Sequence, residues 1–189
     1  MIFAGDFRKG TKILFNKEPY VVVDFQWVKP GKGGAFIRTK MKNMITGLVR
    51  EETFRSEEKL PTPDLEYRDM QFLYQENALY HFLDQESFDQ IALNEDQLHE
   101  VKNYLKEEII YNVLYFDGKP ISITPPLFIE LVVEETQPGV RGDTAQGGAT
   151  KPATLETELV LQVPLFINVD DIIKVDTRTG EYIERVSEG

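Results

Sequence analysis

A segment rich in glycine and proline, Lys29–Phe36, interrupts two stretches in which the side chains alternate in character, Tyr20–Val28 and Ala35–Met41. Alternation with a period of two residues on both sides of a Gly/Pro-rich turn predicts two long antiparallel strands joined as a hairpin. At ~3.3 Å per residue, the chain from Asp24 to Pro30 can carry the turn roughly 20 Å from the body of the protein. One long side chain, Lys32, lies at the predicted tip, so the hairpin presents a single amine at a distance.

The residues around Lys32 indicate how this tip is built. Pro30 fixes one φ angle, and the neighbouring glycines allow positive φ or the close approach of another backbone; they are Gly31, Gly33 and Gly34. An amine flanked by glycine is expected to be solvated and protonated. Such an amine suits contacts to phosphate or ribose better than nucleophilic catalysis, which needs a lowered pKa.

The strand after the turn concentrates positive charge on one face. Alternation places Arg38, Lys40 and Lys42 on the solvent face, while the packed face holds Ala35, Ile37, Thr39 and Met41. From Phe25 to Arg50 the chain has six basic residues and no acidic one, although its net charge is −11. This asymmetry predicts an RNA interface formed by Lys29 and the three cations of the strand. The alternative is a solvated hairpin whose charge has no partner.

Charge also divides the chain into two parts. Residues 1–62 hold 12 Lys and Arg against 7 Asp and Glu, a net of +5, and residues 63–189 hold 9 against 25, a net of −16. A basic head on an acidic body suits one face that touches RNA while the rest is repelled from non-specific sites.

The composition excludes several classes of site. The chain has no cysteine, which excludes disulfides, Cys-ligated zinc and thiol nucleophiles and is compatible with a cytoplasmic protein. Its charged start differs from a secretory signal, and no apolar run approaches the ~18 residues of a membrane helix, so no membrane partner is expected. His81 and His99 lack neighbouring ligand patterns. We predict no catalytic residue, no metal and no cofactor.

The remaining pattern predicts an all-β chain with one helix. Two prolines in Lys59–Asp64 mark a first boundary between regions. Asn94 and Gln97 form a variant capping box for the helix, and the Gly-rich segment Gln137–Thr154 is expected to be a long loop. The predicted strands are Lys12–Phe15, Tyr20–Val28, Ala35–Met41, Leu48–Phe54, Met70–Tyr74, Ala78–Leu83, Phe88–Leu93, Ile110–Phe116, Pro120–Ile123, Phe128–Glu134, Leu159–Val163, Ile172–Asp176 and Tyr182–Val186.

Four stretches, in order along the whole chain, resemble the bacterial elongation factor P family. They are Gly5–Gly10, Lys29–Phe36, Lys151–Leu155 with its continuation Val163–Ile167, and Ile173–Tyr182. The resemblance implies a KOW-like barrel of the SH3 type in residues 1–64, followed by two OB-type barrels in residues 65–127 and 128–189. It also implies a non-enzymatic factor that binds the ribosome beside the peptidyl-tRNA, contacts ribosomal RNA and relieves stalling at consecutive prolines.

The resemblance assigns roles to individual positions. Lys32 would point toward the peptidyl-transferase centre and would be a substrate for a lysine-modifying enzyme, with Pro30, Gly31, Gly33 and Gly34 supporting the loop. Gly142, Asp143 and Thr144 match a third-domain loop that the family brings near the exit-site codon. The chain departs from the family pattern at Glu158 and Asp170, where the family usually has glycine. Glycine at such positions often adopts left-handed backbone, which Asp tolerates moderately well and Glu less well. The family pattern therefore does not predict the conformation of these turns of the third domain.

Three other hypotheses remain open at this point. OB barrels bind single strands through aromatic stacking and basic grooves, so the chain can be a general RNA-binding module, although the region predicted to form OB barrels is acidic. Lys32 can be an amine nucleophile of an enzyme. The chain can also be a family paralogue with a narrower ribosomal task.

Overall fold

The computed structural model describes residues 1–29, 31, 33–139 and 149–189. Within those residues the chain forms sixteen strands, one four-residue α-helix and two 3-10 helices, Ala4–Asp6 and His99–Tyr104, which confirms the prediction of an all-β fold. The strands are β1 (Ile2–Phe3), β2 (Lys12–Phe15), β3 (Glu18–Val28), β4 (Phe36–Asn43), β5 (Val49–Arg55), β6 (Lys59–Leu60), β7 (Leu65–Glu76), β8 (Leu79–Asp84), β9 (Gln90–Asn94), β10 (Ile110–Phe116), β11 (Lys119–Thr124), β12 (Phe128–Thr136), β13 (Thr150–Leu155), β14 (Val160–Pro164), β15 (Ile172–Asp176) and β16 (Glu181–Ser187).

The chain forms two compact units, residues 1–67 with 114–122 and residues 68–113 with 123–189. In the first unit, strands β2 to β5 form an antiparallel sheet in sequence order, and β1 pairs with β6. Side chains of these strands and of the N-terminal 3-10 segment form one apolar core, which contains Ala4, Phe7, Ile13, Tyr20, Val22, Ile37, Met41, Phe54 and Leu60. The burial of these apolar side chains away from water stabilises the sheet that carries the hairpin.

A β-bulge changes the face that β3 presents. Val22 pairs with Met41, but the next pair is Asp24 with Lys40, so Val23 is an extra residue. The extra residue shifts the alternation by one. Phe25 therefore packs against the same core as Val22, although the two residues differ in parity along the sequence.

The remaining strands form two five-stranded sheets. Residues 65–124 supply a five-stranded sheet in the order β11-β10-β7-β8-β9, and the C-terminal strands form a sheet in the order β14-β13-β12-β15-β16. The two edge strands of this second sheet, β14 and β16, contact each other. This contact shows that the sheet curves until its two edges approach each other, although β14 and β16 remain the edge strands of the sheet.

Two details differ from the sequence prediction. Strand β13, Thr150–Leu155, lies inside the segment that was expected to be loop, and its buried residues alternate as Lys151, Ala153 and Leu155. The spacing of Leu98, Val101 and Leu105 on one face predicts a helix that continues to about Lys106. Helix α1 instead spans only Glu95–Leu98 before the chain tightens into a 3-10 helix, so the predicted length was wrong. The predicted capping box at its start is confirmed, with reciprocal bonds between Asn94 and Gln97.

A joint inside the second unit connects the 3-10 segment to the C-terminal barrel. Tyr104 is 8% exposed and belongs to the apolar core of strands β12 to β15. The Lys106 ammonium donates to the Glu130 carbonyl at 3.0 Å and pairs with the Glu156 carboxylate at 3.1 Å. Tyr111 fixes the turn between them, because its hydroxyl donates to the Tyr104 carbonyl at 2.7 Å and accepts from the Lys106 N–H at 2.9 Å.

Candidate nucleic-acid interface

The hairpin predicted from the alternating stretches is formed by β3 and β4. The predicted projection of roughly 20 Å from the body was wrong for the strands, because β5 pairs with β4 as far as Phe36. The two strands pair from Tyr20 with Asn43 to Val28 with Phe36, which is the last pair before the turn. Near the turn the side chains leave the core: Trp27 is 43% exposed and Val28 is 38% exposed. Lys29 is exposed as well. The end of the hairpin therefore offers a surface rather than a packed element.

The described glycines of the turn differ in backbone conformation. Gly33 has a φ of +117°, which an L side chain rarely adopts. Gly34 is outside the left-handed region, and a Cβ atom built on it meets nothing within 4 Å. Gly31 shares both properties with Gly34. Backbone strain therefore requires glycine at position 33, whereas at positions 31 and 34 only the approach of another molecule would require it.

The predicted cationic face exists, but acidic residues lie beside part of it. Arg38, Lys40 and Lys42 are exposed, and Ile37, Thr39 and Met41 on the opposite face are buried. Lys40 lies directly between Asp24 on β3 and Glu51 on β5. The segment Phe25–Arg50 contains no acidic residue, but strand pairing places two acidic residues from outside that segment beside Lys40.

Asp24 has a second cationic neighbour. The Lys9 ammonium lies 3.1 Å from its carboxylate and lowers the pKa of Asp24 below its ordinary value. Arg38, by contrast, lies between Gln26 and Thr53. Within the described residues its guanidinium has no ion pair. Of the predicted cations on this strand, Arg38 is therefore better suited to a phosphate than Lys40.

Sequence reasoning missed a cation on the same face. Arg55 lies directly opposite Phe36, the last paired residue of the hairpin, which places it beside the turn. It belongs to β5, beyond the basic window, so no local pattern connects it to the turn. Alternation along β5 places Arg55 on the same face as Glu51 and Thr53. This places Arg55 beside the turn only when the register of β4 with β5 is known.

The histidines do not form a metal site in the described part of the chain. His81 stacks on Tyr74 with the ring centroids 4.6 Å apart, and its Nδ1 lies 3.1 Å from the Gln90 amide nitrogen. His99 is exposed, with a φ of +51°. Across the described ranges, no three His, Asp or Glu side chains come together as a group that could hold a metal ion. Nor is any helix of the described ranges long and apolar enough to cross a membrane.

Comparison with known families covers nearly the whole chain. The KOW-like domain of elongation factor P matches residues 4–60, its OB domain matches residues 65–123, and its C-terminal domain matches residues 129–185. Elongation factor P of Thermoanaerobacter sp. (strain X514) is 54% identical over 186 residues, which are 98% of this chain and 100% of that protein. Elongation factor P of Clostridioides difficile (strain 630) is 51% identical over the same shares. This chain belongs to the elongation factor P family.

A solved structure gives the same fold at low sequence identity. Eukaryotic translation initiation factor 5A from Methanococcus jannaschii superposes with a TM-score of 0.57 at 20% identity, covering 66% of this chain and 91% of that one. The KOW-like and OB descriptions of elongation factor P confirm the predicted barrel types. The predicted bounds of the three barrels stay predictions.

Several predicted positions of the elongation factor P pattern lie outside the described residues. They are Pro30 and Lys32 in the first unit and Gly142, Asp143 and Thr144 in the C-terminal region. Their assigned roles stay predictions.

The two departures from the elongation factor P pattern fall on left-handed backbone. Glu158 has a φ of +64° and Asp170 a φ of +70°. Glu158 closes the turn between β13 and β14, where its N–H donates to the Leu155 carbonyl at 2.8 Å. The Asp170 N–H donates to the Val133 carbonyl at 2.9 Å. Both turns therefore keep a geometry that favours glycine, and the side chains at these positions carry the strain.

Proposed function

We propose that this elongation factor P binds the ribosome beside the peptidyl-tRNA and stimulates peptide-bond formation where consecutive prolines stall translation. The observation that carries the proposal is the match to the elongation factor P family across almost the whole chain. The β3–β4 hairpin supports it, because Trp27, Val28 and Lys29 are exposed at its turn end and can contact a partner.

The proposed chemistry belongs to the ribosome. Proline is a poor peptidyl donor and acceptor, and its rigid ring can hold the nascent peptide in an unproductive geometry. The Lys32 ammonium would contact phosphate and ribose at the acceptor end of the peptidyl-tRNA and favour the geometry in which attack occurs. Orientation alone contributes roughly 7–11 kcal/mol at its limit, so a non-enzymatic factor can accelerate a stalled step substantially.

Charge supports the proposed RNA contacts, and membership of the elongation factor P family supports the rest of the proposal. We propose that Lys29 and the cations of β4 touch ribosomal RNA or tRNA, and that the acidic body limits non-specific binding. The three barrels would span residues 1–64, 65–127 and 128–189, and the protein would act in the cytoplasm. The loop that contains Gly142, Asp143 and Thr144 would approach the exit-site codon, and a lysine-modifying enzyme would act on Lys32.

The test is the rate of translation through a run of prolines in a purified system. The reactions contain no factor, the wild-type protein, Lys32→Ala, or Lys29→Ala as a matched loss of one hairpin lysine, with a proline-free message alongside. We expect proline-specific acceleration by the wild type, its loss in Lys32→Ala, and a smaller effect of Lys29→Ala.

The state of Lys32 must be known before the result is interpreted. The mass of the Lys32 peptide from native cells shows whether a modification is present. A fully modified protein that gives no acceleration on the proline message would overturn the proposal. Equal acceleration of both messages would point to a general role in elongation instead.

A further inference from the structure

A small cavity lies at the turn end of the hairpin, between β4 and the end of β5. Its volume is about 250 Å³ and it is lined by Gly34, Ala35, Phe36, Arg55, Ser56 and Glu57. The Ser56 N–H donates to the Ala35 carbonyl at 3.0 Å, so a hydrogen bond ties its two walls together. This volume is below the ~300–1,000 Å³ of pockets for drug-sized ligands. It suits a smaller unit, such as a phosphate with its sugar.

The guanidinium of Arg55 is the main charge of this cavity. Four other arginines have carboxylate partners, whereas Arg8 and Arg38, like Arg55, have no ion pair with a described residue. The four pairs are Arg50 with Glu52, Arg68 with Asp84, Arg178 with Asp176, and Arg185 with Asp171 and Glu188. Arg55 is exposed and has no ion pair with any described residue. A planar guanidinium without a carboxylate partner is free to bind a phosphate through two parallel hydrogen bonds.

Two neighbours make the cavity suitable for a nucleotide. Phe36 is the direct cross-strand partner of Arg55 and is only partly buried, so its ring can pack against a sugar or a base. Gly34 leaves the approach open, because it needs no left-handed backbone and a Cβ there would meet no protein atom. Glu57 is the carboxylate of the lining, and it is exposed to solvent.

We propose that this cavity binds one phosphate–ribose unit of RNA, with Arg55 as the phosphate-binding residue and Gly34 as the position that lets the strand come close. This inference rests on the proposed function, because it assumes that the hairpin approaches RNA on the ribosome. It adds a site on β5 and the β4 wall that does not depend on Lys32.

The experiment measures the affinity of the protein for ribosomes with peptidyl-tRNA in the peptidyl site, as a function of salt. Arg55→Gln removes the charge and keeps most of the side chain. Arg55→Lys keeps the charge but lacks the planar guanidinium that can form two parallel hydrogen bonds. Arg50→Gln is the matched control, since Arg50 lies on the same strand but pairs with Glu52. Glu57→Gln removes the carboxylate of the same cavity.

Arg55→Gln is expected to weaken binding about tenfold, as for one charge-assisted contact, and to reduce the salt slope by about 0.7. Arg55→Lys is expected to recover part of the affinity and the whole slope, Glu57→Gln to strengthen binding, and Arg50→Gln to leave both unchanged. Equal losses in Arg55→Gln and Arg50→Gln, or no change in either, would overturn the phosphate site while leaving the proposed function intact. Wild-type protein that fails to bind these ribosomes would overturn both.

Discussion

The turn end of the hairpin and the joint of the second unit differ in how far their side chains are buried. At the hairpin, the last residues of β3 are exposed, and glycine residues follow them. At the joint, Tyr104 is 8% exposed and Tyr111 is fully buried, and both are fixed by hydrogen bonds or packing. The first region has exposed side chains at its end, while the second is built around two buried tyrosine rings and the partly exposed Lys106–Glu156 ion pair. Changes at the joint should therefore alter stability, and changes at the hairpin should alter binding.

The largest expected effect tests the joint by removing Tyr104. Tyr104→Ala should lower the free energy of unfolding by about 3–4 kcal/mol, because it leaves a cavity in the core of the C-terminal barrel. Urea unfolding followed by circular dichroism measures this loss. Tyr104→Phe keeps the ring, so it should cost less than about 1 kcal/mol. A cost for Tyr104→Ala that is as small as for Tyr104→Phe would show that the segment is held by other contacts.

A second prediction concerns the pH dependence of the same joint. Burial raises the pKa of Tyr111 to about 12, against about 10 for an exposed tyrosine. The folded state therefore holds the phenolic proton more tightly than the unfolded state. The resulting stability is fully present below pH ~10 and is lost as the pH rises toward 12, by on the order of 2–3 kcal/mol.

Tyr111→Phe separates this contribution from other alkaline effects. At neutral pH the variant should be about 1–3 kcal/mol less stable, because the Tyr104 carbonyl and the Lys106 N–H lose their partner. Between pH 10 and 12 the difference in urea midpoint between wild type and variant should narrow, since only the wild type can ionise there. A difference that stays constant over this range would contradict the burial of the hydroxyl.

A third prediction of smaller size tests the left-handed turns. Glu158→Gly should raise the free energy of unfolding by about 1 kcal/mol, because glycine removes the strain of a φ near +64°. Thermal unfolding should show an increase of about 2–4 °C. Asp170→Gly should gain less, since Asp tolerates this backbone better.

Lys17 in the first unit provides a comparison for that result. Its φ is +66°, so Lys17→Gly should gain about as much as Glu158→Gly if the effect is local backbone strain. A loss of stability in Glu158→Gly together with a gain in Lys17→Gly would show that the Glu158 side chain stabilises its turn.

Most of the fold could be predicted because strands leave a strong periodic signal. β2, β10 and β15 have the predicted bounds, and the hairpin follows from alternation around a Gly/Pro-rich turn. β13 was missed because Pro152 and the glycines before it are typical of loops. The structure accommodates Pro152 opposite Gln162 and buries Lys151, whose ammonium donates to the Gln137 carbonyl at 2.7 Å.

The candidate site was only partly predictable, since register is not a local property. The cations of β4 were visible in the sequence, but Asp24 and Glu51 became their neighbours only through strand pairing. The bulge at Val23 also changes which residues of β3 face them. Arg55 lies on a third strand, so its place beside the hairpin required the register of β4 with β5. The turn itself was recognised from composition and family resemblance.

The smallest expected effect on stability, and the sharpest test of the cationic face, compares Arg38→Gln with Lys40→Gln. Both side chains are exposed, so each change should alter the free energy of unfolding by no more than about 0.5 kcal/mol. Their effects on ribosome binding should differ. Arg38→Gln should weaken it about three- to tenfold, whereas Lys40→Gln should have an effect of less than about twofold, because Asp24 and Glu51 already offset its charge.

The double variant of Asp24→Asn with Lys40→Gln distinguishes two explanations. Either Asp24 offsets the charge of Lys40 across the strands, or the RNA responds to the summed charge of the whole face. If pairing across the strands offsets Lys40, then Lys40→Gln should weaken binding more in the Asp24→Asn background than alone, a non-additivity that affinity measurements resolve. If the RNA instead responds to the summed charge of the face, the two changes should be additive, and Arg38→Gln should equal Lys40→Gln. The cations of β4 would then contribute equally through their summed charge. The difference between the hairpin, which alters binding, and the joint, which alters stability, would not be affected.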